Sequence, residues 1–237
     1  TVIVNSEVKP IHKTNINRAS KSELEELYGI GDARSTDIIL ARDIEKFKAI
    51  TGIEERRYAS NEFTTSNLAF FAAEKAIKNA QIDKETLDYI IVAHNFGDIV
   101  HGKTQGDTLP SLATRVKHQL ENPKCVAYDI LFGCPGWLEG MIQANAFIKS
   151  GIANKCLVIG AETLSRVVDD YDRDSMIYSD GAGAAIIERT NKGGEIIAHE
   201  SGTYAMDEAN YLFFGNTYNK NEEDSTYYIK MFGRKIY

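Results

Sequence analysis

Asp129-Ile-Leu-Phe-Gly-Cys134-Pro-Gly-Trp-Leu-Glu-Gly140 joins two kinds of chain. Upstream, Cys125–Ile130 is short, apolar and rich in β-formers, which predicts a buried strand. Downstream, Trp137, Leu138, Met141, Ile142 and Ile148 recur at helical spacing, and Gly151 supplies a C-terminal stop. Between them Gly133 allows a sharp turn. Pro135 suits the first position of a helix, where its missing N–H costs nothing. The stretch therefore predicts a strand, an elbow and a helix over 136–150, with Cys134 on the elbow.

Further strands are expected at Tyr89–Ala93, Cys156–Ala161 and Ala184–Glu188, with helical patterns such as Ser111–Leu120 between several of them. Thr65–Ala80 predicts another helix. Thr65 and Ser66 are candidate N-caps, and Ala69, Ala72, Ala73, Ala76 and Ala80 form a small-residue face for close packing. Alternating strands and helices predict an α/β fold with a sheet covered on both faces. Toward the start, Thr1–Val4 predicts a short strand and residues 20–48 predict helix. Toward the end, Glu195–His199 and Tyr227–Lys230 predict strands on either side of a polar, aromatic-rich stretch. Met231–Tyr237 predicts the beginning of a helix with no stop signal, so the chain is expected to end within an element.

The elbow places a thiol where first-turn N–H groups and the helix dipole stabilise negative charge. The same groups can stabilise an oxyanion on a bound thioester. A single cysteine is also a small hydrophobe that packs in cores. Cys125 and Cys156 lie in apolar runs and fit that second role; Cys134 is the candidate nucleophile.

Several stretches, in order, resemble beta-ketoacyl-ACP synthase III. They are Thr51-Gly-Ile-Glu-Glu-Arg-Arg57, the elbow Phe132-Gly-Cys-Pro-Gly-Trp137, Val158-Ile-Gly-Ala-Glu-Thr-Leu-Ser-Arg166, Ser179-Asp-Gly-Ala-Gly-Ala-Ala-Ile-Ile187, and Met231-Phe-Gly-Arg-Lys-Ile-Tyr237. The resemblance covers about residues 44–237. It implies a thiolase-like layered fold, with residues 1–45 a strand and helical excursion, 46–190 a first half carrying the elbow, and 191–237 the start of a second half. It also implies an acyltransferase in which Cys134 accepts an acyl group from acyl-CoA, after which malonyl-ACP decarboxylates and condenses with it. Acyl-CoA and malonyl-ACP are then substrates, and no cofactor or metal is expected. The acyl carrier protein is the expected protein partner and a homodimer the expected assembly. A His and an Asn that assist the family's chemistry belong to the second half. None of His12, His94, His101, His118 and His199 stands in the matching H-Q-A-N context, so both are expected beyond Tyr237.

Two substrate-binding candidates follow from the same resemblance. Arg173 matches an arginine near the CoA adenine, although a surface pair with Asp172 or Asp174 explains it equally well. Leu109 stands where the family often has Phe before Pro, on a loop reaching the partner's acyl pocket; a smaller residue there points to a larger starter group. The family's adenine-stacking Trp has no counterpart, with Lys46 and Phe47 in its place.

A net charge of −7 argues against nucleic acid as the main partner. The spacing of the three cysteines builds neither a disulfide framework nor a zinc site, so a reducing cytoplasm is expected. There is no signal-peptide pattern and no apolar run long enough to span a bilayer. Gly97-Asp-Ile-Val-His-Gly-Lys-Thr104 fits a phosphate-loop pattern, but Gly106 and Pro110 spoil the helix that must follow it. Residues 14–45 resemble a helix-hairpin-helix element around Gly29-Ile-Gly31, a second reading as a DNA-binding module. Residues 1–50 hold eight Lys/Arg and eight Asp/Glu, so that segment has no basic surplus. A third reading is a non-catalytic chain that only binds CoA or a carrier protein.

Overall fold

The computed structural model describes residues 12–14, 49–219 and 226–236. The strand expected at Thr1–Val4, the helices expected over 20–48 and the hairpin-like Gly29-Ile-Gly31 lie outside them. A short pair, β1 (His12–Thr14) and β2 (Arg56–Tyr58), runs antiparallel.

The main sheet has four strands. They are β3 (Tyr89–Ala93), β4 (Val126–Ile130), β5 (Lys155–Thr163) and β6 (Asp180–Glu188), in the order β4-β3-β5-β6. β3 is parallel to both β4 and β5, as helical crossovers require. β6 returns antiparallel to β5, because residues 164–179 contain only 3₁₀ turns at Leu164–Arg166 and Arg173–Ile177.

Helix α1 (Thr65–Ala80) and helix α2 (Leu112–Gln119) cover one face of this sheet. The alanines of α1 pack there with Ile90, Val92, Leu157 and Ile159, and Val116 comes from α2. The α1 cap lies one residue earlier than the sequence predicts. Thr64 is the N-cap, its N–H donating to Asn67 Oδ1 at 3.0 Å. Thr65 and Ser66 are buried in the first turn instead, held by Thr163 and Asp98. Helix α3 (Gly136–Lys149) covers the other face, over Ile91, Ile130, Cys156 and Val158.

Beyond the sheet, β7 (Leu212–Asn216) and β8 (Tyr227–Met231) form an antiparallel pair. β7 falls in the stretch read as polar and aromatic, where alternation of exposed and half-buried residues hides its strand character. Glu195–His199 forms no strand: its alternation finds no ladder partner among the described residues, and Ile197 is 90% exposed. Met231 ends β8 rather than opening a helix, and only Gly233–Ile236 is helical beyond it. The β7–β8 pair docks through Ile229, whose N–H donates to Val167 O at 2.8 Å, and through a buried ion pair of Lys230 with Asp169.

Candidate active site

The elbow is built as its residues require. β4 ends at Ile130, and Gly133 adopts φ +64°, a left-handed conformation that glycine enters without steric cost. Gly136 N–H closes the turn on Gly133 O at 3.1 Å. Pro135 occupies the N-cap, one position earlier than expected, and α3 starts at Gly136. The first turn of a helix carries N–H groups without intrahelical partners, so Cys134 sits against a donor-rich helix end.

Three glycines let α3 lie close on the sheet. A methyl carbon on Gly136 would sit 3.1 Å from Ala93 Cβ, and one on Gly140 would sit 2.7 Å from Val158 Cγ1. One on Gly160 would sit 3.2 Å from Trp137 Cβ. The helix start is therefore pinned above the carboxyl ends of β3 and β5. Cys134, just ahead of it, lies at that end of the sheet and is exposed. Cys125 and Cys156 are buried, as their apolar runs predict. Burial pushes both thiols up, that of Cys156 to about 12. They are inert core residues.

A polar cluster occupies the same end of the sheet. His94 Nδ1 accepts from Gly97 N–H at 3.1 Å, which places the ring proton on Nε2, 2.8 Å from Asp129 Oδ2. Asp129 also accepts from Leu112 N–H and Ala113 N–H, so it caps α2 from the strand that leads to the elbow. Burial opposes its charge, but the hydrogen bonds from His94 and the two amides prevail and hold its carboxyl below the usual range. One residue beyond His94, Asn95 donates its backbone N–H and its side-chain N–H to Glu162 Oε1, the latter at 2.8 Å. Burial raises Glu162 to about 7, although the Asn95 bonds pull the other way. Sequence reasoning missed the roles of His94, Asn95 and Glu162, and met Asp129 only as the residue that opens the elbow stretch. No motif joins four residues spread over three strand ends.

The other sequence-derived candidates lie on other segments. Leu109 is 85% exposed on the loop before α2. Arg173 opens the 3₁₀ turn Arg173–Ile177, and its side chain is outside what is described. The phosphate-loop pattern does not enter a helix. Asp98 turns inward to Ser66 and Arg115, and its backbone pairs with Asp107. No metal-binding cluster of His, Cys, Asp or Glu is present among the described residues.

Residues 128–205 match the family model of 3-oxoacyl-[acyl-carrier-protein] synthase III, and they span the elbow, Glu162 and β6. The chain is 39% identical to the beta-ketoacyl-[acyl-carrier-protein] synthase III of Staphylococcus haemolyticus over 67% of its own length and 49% of that protein. It is 33% identical to that of Oceanobacillus iheyensis over 89% of its length and 65% of that protein. These matches support the beta-ketoacyl-ACP synthase III family for this chain.

A solved synthase III from Aquifex aeolicus aligns with a TM-score of 0.65 at 31% identity, covering 92% of this chain and 61% of that one. The thiolase-like α/β architecture of the synthase III family is thus the architecture here. The chain spans roughly half to two-thirds of the length of these curated relatives. Two other stretches that carry the synthase III resemblance make structural hydrogen bonds. Gly52 of the Thr-Gly-Ile segment adopts φ +69°, with Ile53 N–H donating to Thr51 Oγ1 at 3.2 Å. Asp180, at the head of β6, accepts from Ser165 N–H, Ser165 Oγ–H and Ala59 N–H and so ties three segments together.

Proposed function

We propose that Cys134 is the acyl-accepting nucleophile of a condensing acyltransferase. The supporting observation is that the one exposed cysteine stands on a glycine-turned elbow at the start of α3, while the other two are buried. Its Sγ attacks the carbonyl of an acyl-CoA, the new C–S bond replaces the bond to CoA, and CoA leaves as its thiol with the proton. The acyl group then awaits an extender. Malonyl carried on acyl carrier protein loses CO₂, its carbon attacks the thioester carbonyl, and Cys134 is released.

First-turn N–H groups of α3 are suited to hold the thioester oxygen as charge develops on it. The His and Asn that would steady the enolate are assigned, on the family resemblance, to the second half of the fold. The division into a first half over 46–190 and a second from 191 is supported by the separate β7–β8 pair. Arg173 is assigned to CoA and Leu109 to the acyl pocket of a neighbouring protomer, both on the family resemblance. Acyl-CoA and malonyl-ACP are the substrates, acyl carrier protein the partner, and no resident cofactor is assigned. Three free cysteines fit a reducing, cytoplasmic setting. No helix among the described residues is long and apolar enough to cross a membrane.

The assembly proposed is a homodimer. Among the described residues β4 pairs only with β3, so its other edge has no partner strand there, and Val126 and Leu131 beside it are 50% and 65% exposed. The deciding experiment incubates the protein with short and branched acyl-CoAs and maps the adduct by mass spectrometry. One acyl group on Cys134, absent in Cys134→Ser, is the expected result; an adduct elsewhere overturns the assignment.

A further inference from the structure

Glu162 lies on the same face of the sheet as the elbow helix. Val158, Gly160 and Glu162 alternate onto one side of β5, and α3 covers the first two through Gly140 and Trp137. Glu162 is the next residue on that side, past the start of α3, where the Gly133–Cys134 turn is placed. Its pairing in the sheet agrees: Gly160 is opposite Ala93, Gly136 rests on Ala93, and Asn95, two residues on, meets Glu162. Both Asn95 bonds converge on Oε1. Oε2 has no hydrogen-bond partner among the described residues, and it is not among the fully buried unpaired atoms. A carboxyl with one oxygen anchored and the other unclaimed is therefore held at the nucleophile's end of the sheet.

We propose that Glu162 is a charge gate for the groups that reach Cys134, its free carboxyl oxygen admitting an anionic unit when it carries a proton and repelling one when ionised. This rests on Cys134 being the nucleophile and deepens that reading. A neutral acyl thioester meets no penalty in either state. An extender bearing a carboxylate, as a malonyl thioester does, meets a hydrogen-bond donor in one state and a like charge in the other. Burial places the change of state near neutrality, at about 7. The titratable groups facing Glu162 are His94 from the end of β3, which favours its ionised form, and Asp180 from β6, which opposes it. Asn95 acts as a positioning residue, fixing Oε1 so that Oε2 is the oxygen that changes.

The test compares two alkylating probes on the full chain between pH 6 and 8.5. Iodoacetamide is neutral and iodoacetate is anionic; both react with the thiolate, so the thiolate fraction cancels in the ratio of their rates. In the native protein the iodoacetamide-to-iodoacetate ratio at Cys134 should rise by roughly threefold to tenfold, with a midpoint near 7, as one unit charge a few residues away would produce in a partly screened site. Glu162→Gln should flatten the profile, Glu162→Asp should restore a step, and circular dichroism should confirm that each variant is folded. A flat native profile, or a step that survives in Glu162→Gln, overturns the gate while leaving Cys134 the nucleophile. First labelling at Cys125 or Cys156 overturns the nucleophile and the gate with it.

Discussion

Lys230 and Asp169 form an ion pair in which both side chains are 1% exposed. Lys230 also lies 3.6 Å over the Tyr218 ring, and Asp169 further accepts from Thr217 Oγ–H and Tyr218 N–H. The pair joins β8 to the segment leaving β5, so it fastens the β7–β8 pair to the sheet that carries the elbow. Lys230 also lies 3.8 Å from the buried Asp172, so removing the lysine takes a cation from two buried carboxylates, and removing Asp169 with it relieves one of them. Lys230→Met should cost about 3–5 kcal/mol in urea unfolding, and Lys230→Met with Asp169→Leu should recover part of that loss. Burial raises the Asp169 carboxyl but the Lys230 bond and the other donors prevail, leaving it below its usual value. Its contribution is therefore present above the unfolded carboxylate range and is lost as pH falls through the lower, folded value.

Glu162 has the opposite sign. Its folded value, about 7, stands above the ordinary carboxyl value of 4.5, so the fold binds the proton more tightly than the unfolded chain does. Stability should fall as pH rises from about 4.5 to 7, by up to about 3 kcal/mol, and level off above. Urea unfolding of Glu162→Gln at pH 5.5 and 8.5 should show less of this loss than the native protein. An equal loss in both would remove Glu162 as its source.

Cys134 should be the fastest-reacting thiol. Iodoacetamide followed by peptide mapping should label it well before Cys125 and Cys156, which are buried and carry raised thiol values.

The approach of α3 to the sheet is set by Gly140. A Cβ there meets Val158 Cγ1 at 2.7 Å on the covered face of β5, so Gly140→Ala should lose about 1–3 kcal/mol by overpacking, despite alanine's better helix propensity. Gly133→Ala acts differently. Nothing but Pro135 lies within reach of its Cβ, so its cost is the φ of +64°, about 1–2 kcal/mol, and should appear with slower acylation of Cys134.

The exposed edge of β4 should be satisfied by a second copy. Light scattering at micromolar concentration should return twice the protomer mass, and a stable monomer would argue against the homodimer.

Much of this molecule was legible in local pattern. The runs at 89–93, 126–130 and 155–163 became strands because each is short, apolar and bounded by turn residues. Thr65–Ala80 became a helix because its alanines share one face. The elbow was legible for the same reason: Gly133, Cys134 and Pro135 are neighbours, and the turn they make is a property of adjacent residues. Glu195–His199 shows the limit of such reading, since alternation without a partner strand has no ladder to join. What only the tertiary structure decided is the polar cluster at the elbow's end of the sheet. His94, Asn95, Asp129 and Glu162 come together because parallel pairing aligns the ends of β3, β4 and β5, and that register depends on packing between residues far apart in the chain. The proton affinity of Glu162 arises at the same level: an isolated glutamate in sequence is an ordinary acid, and burial between strand ends makes it a weak one.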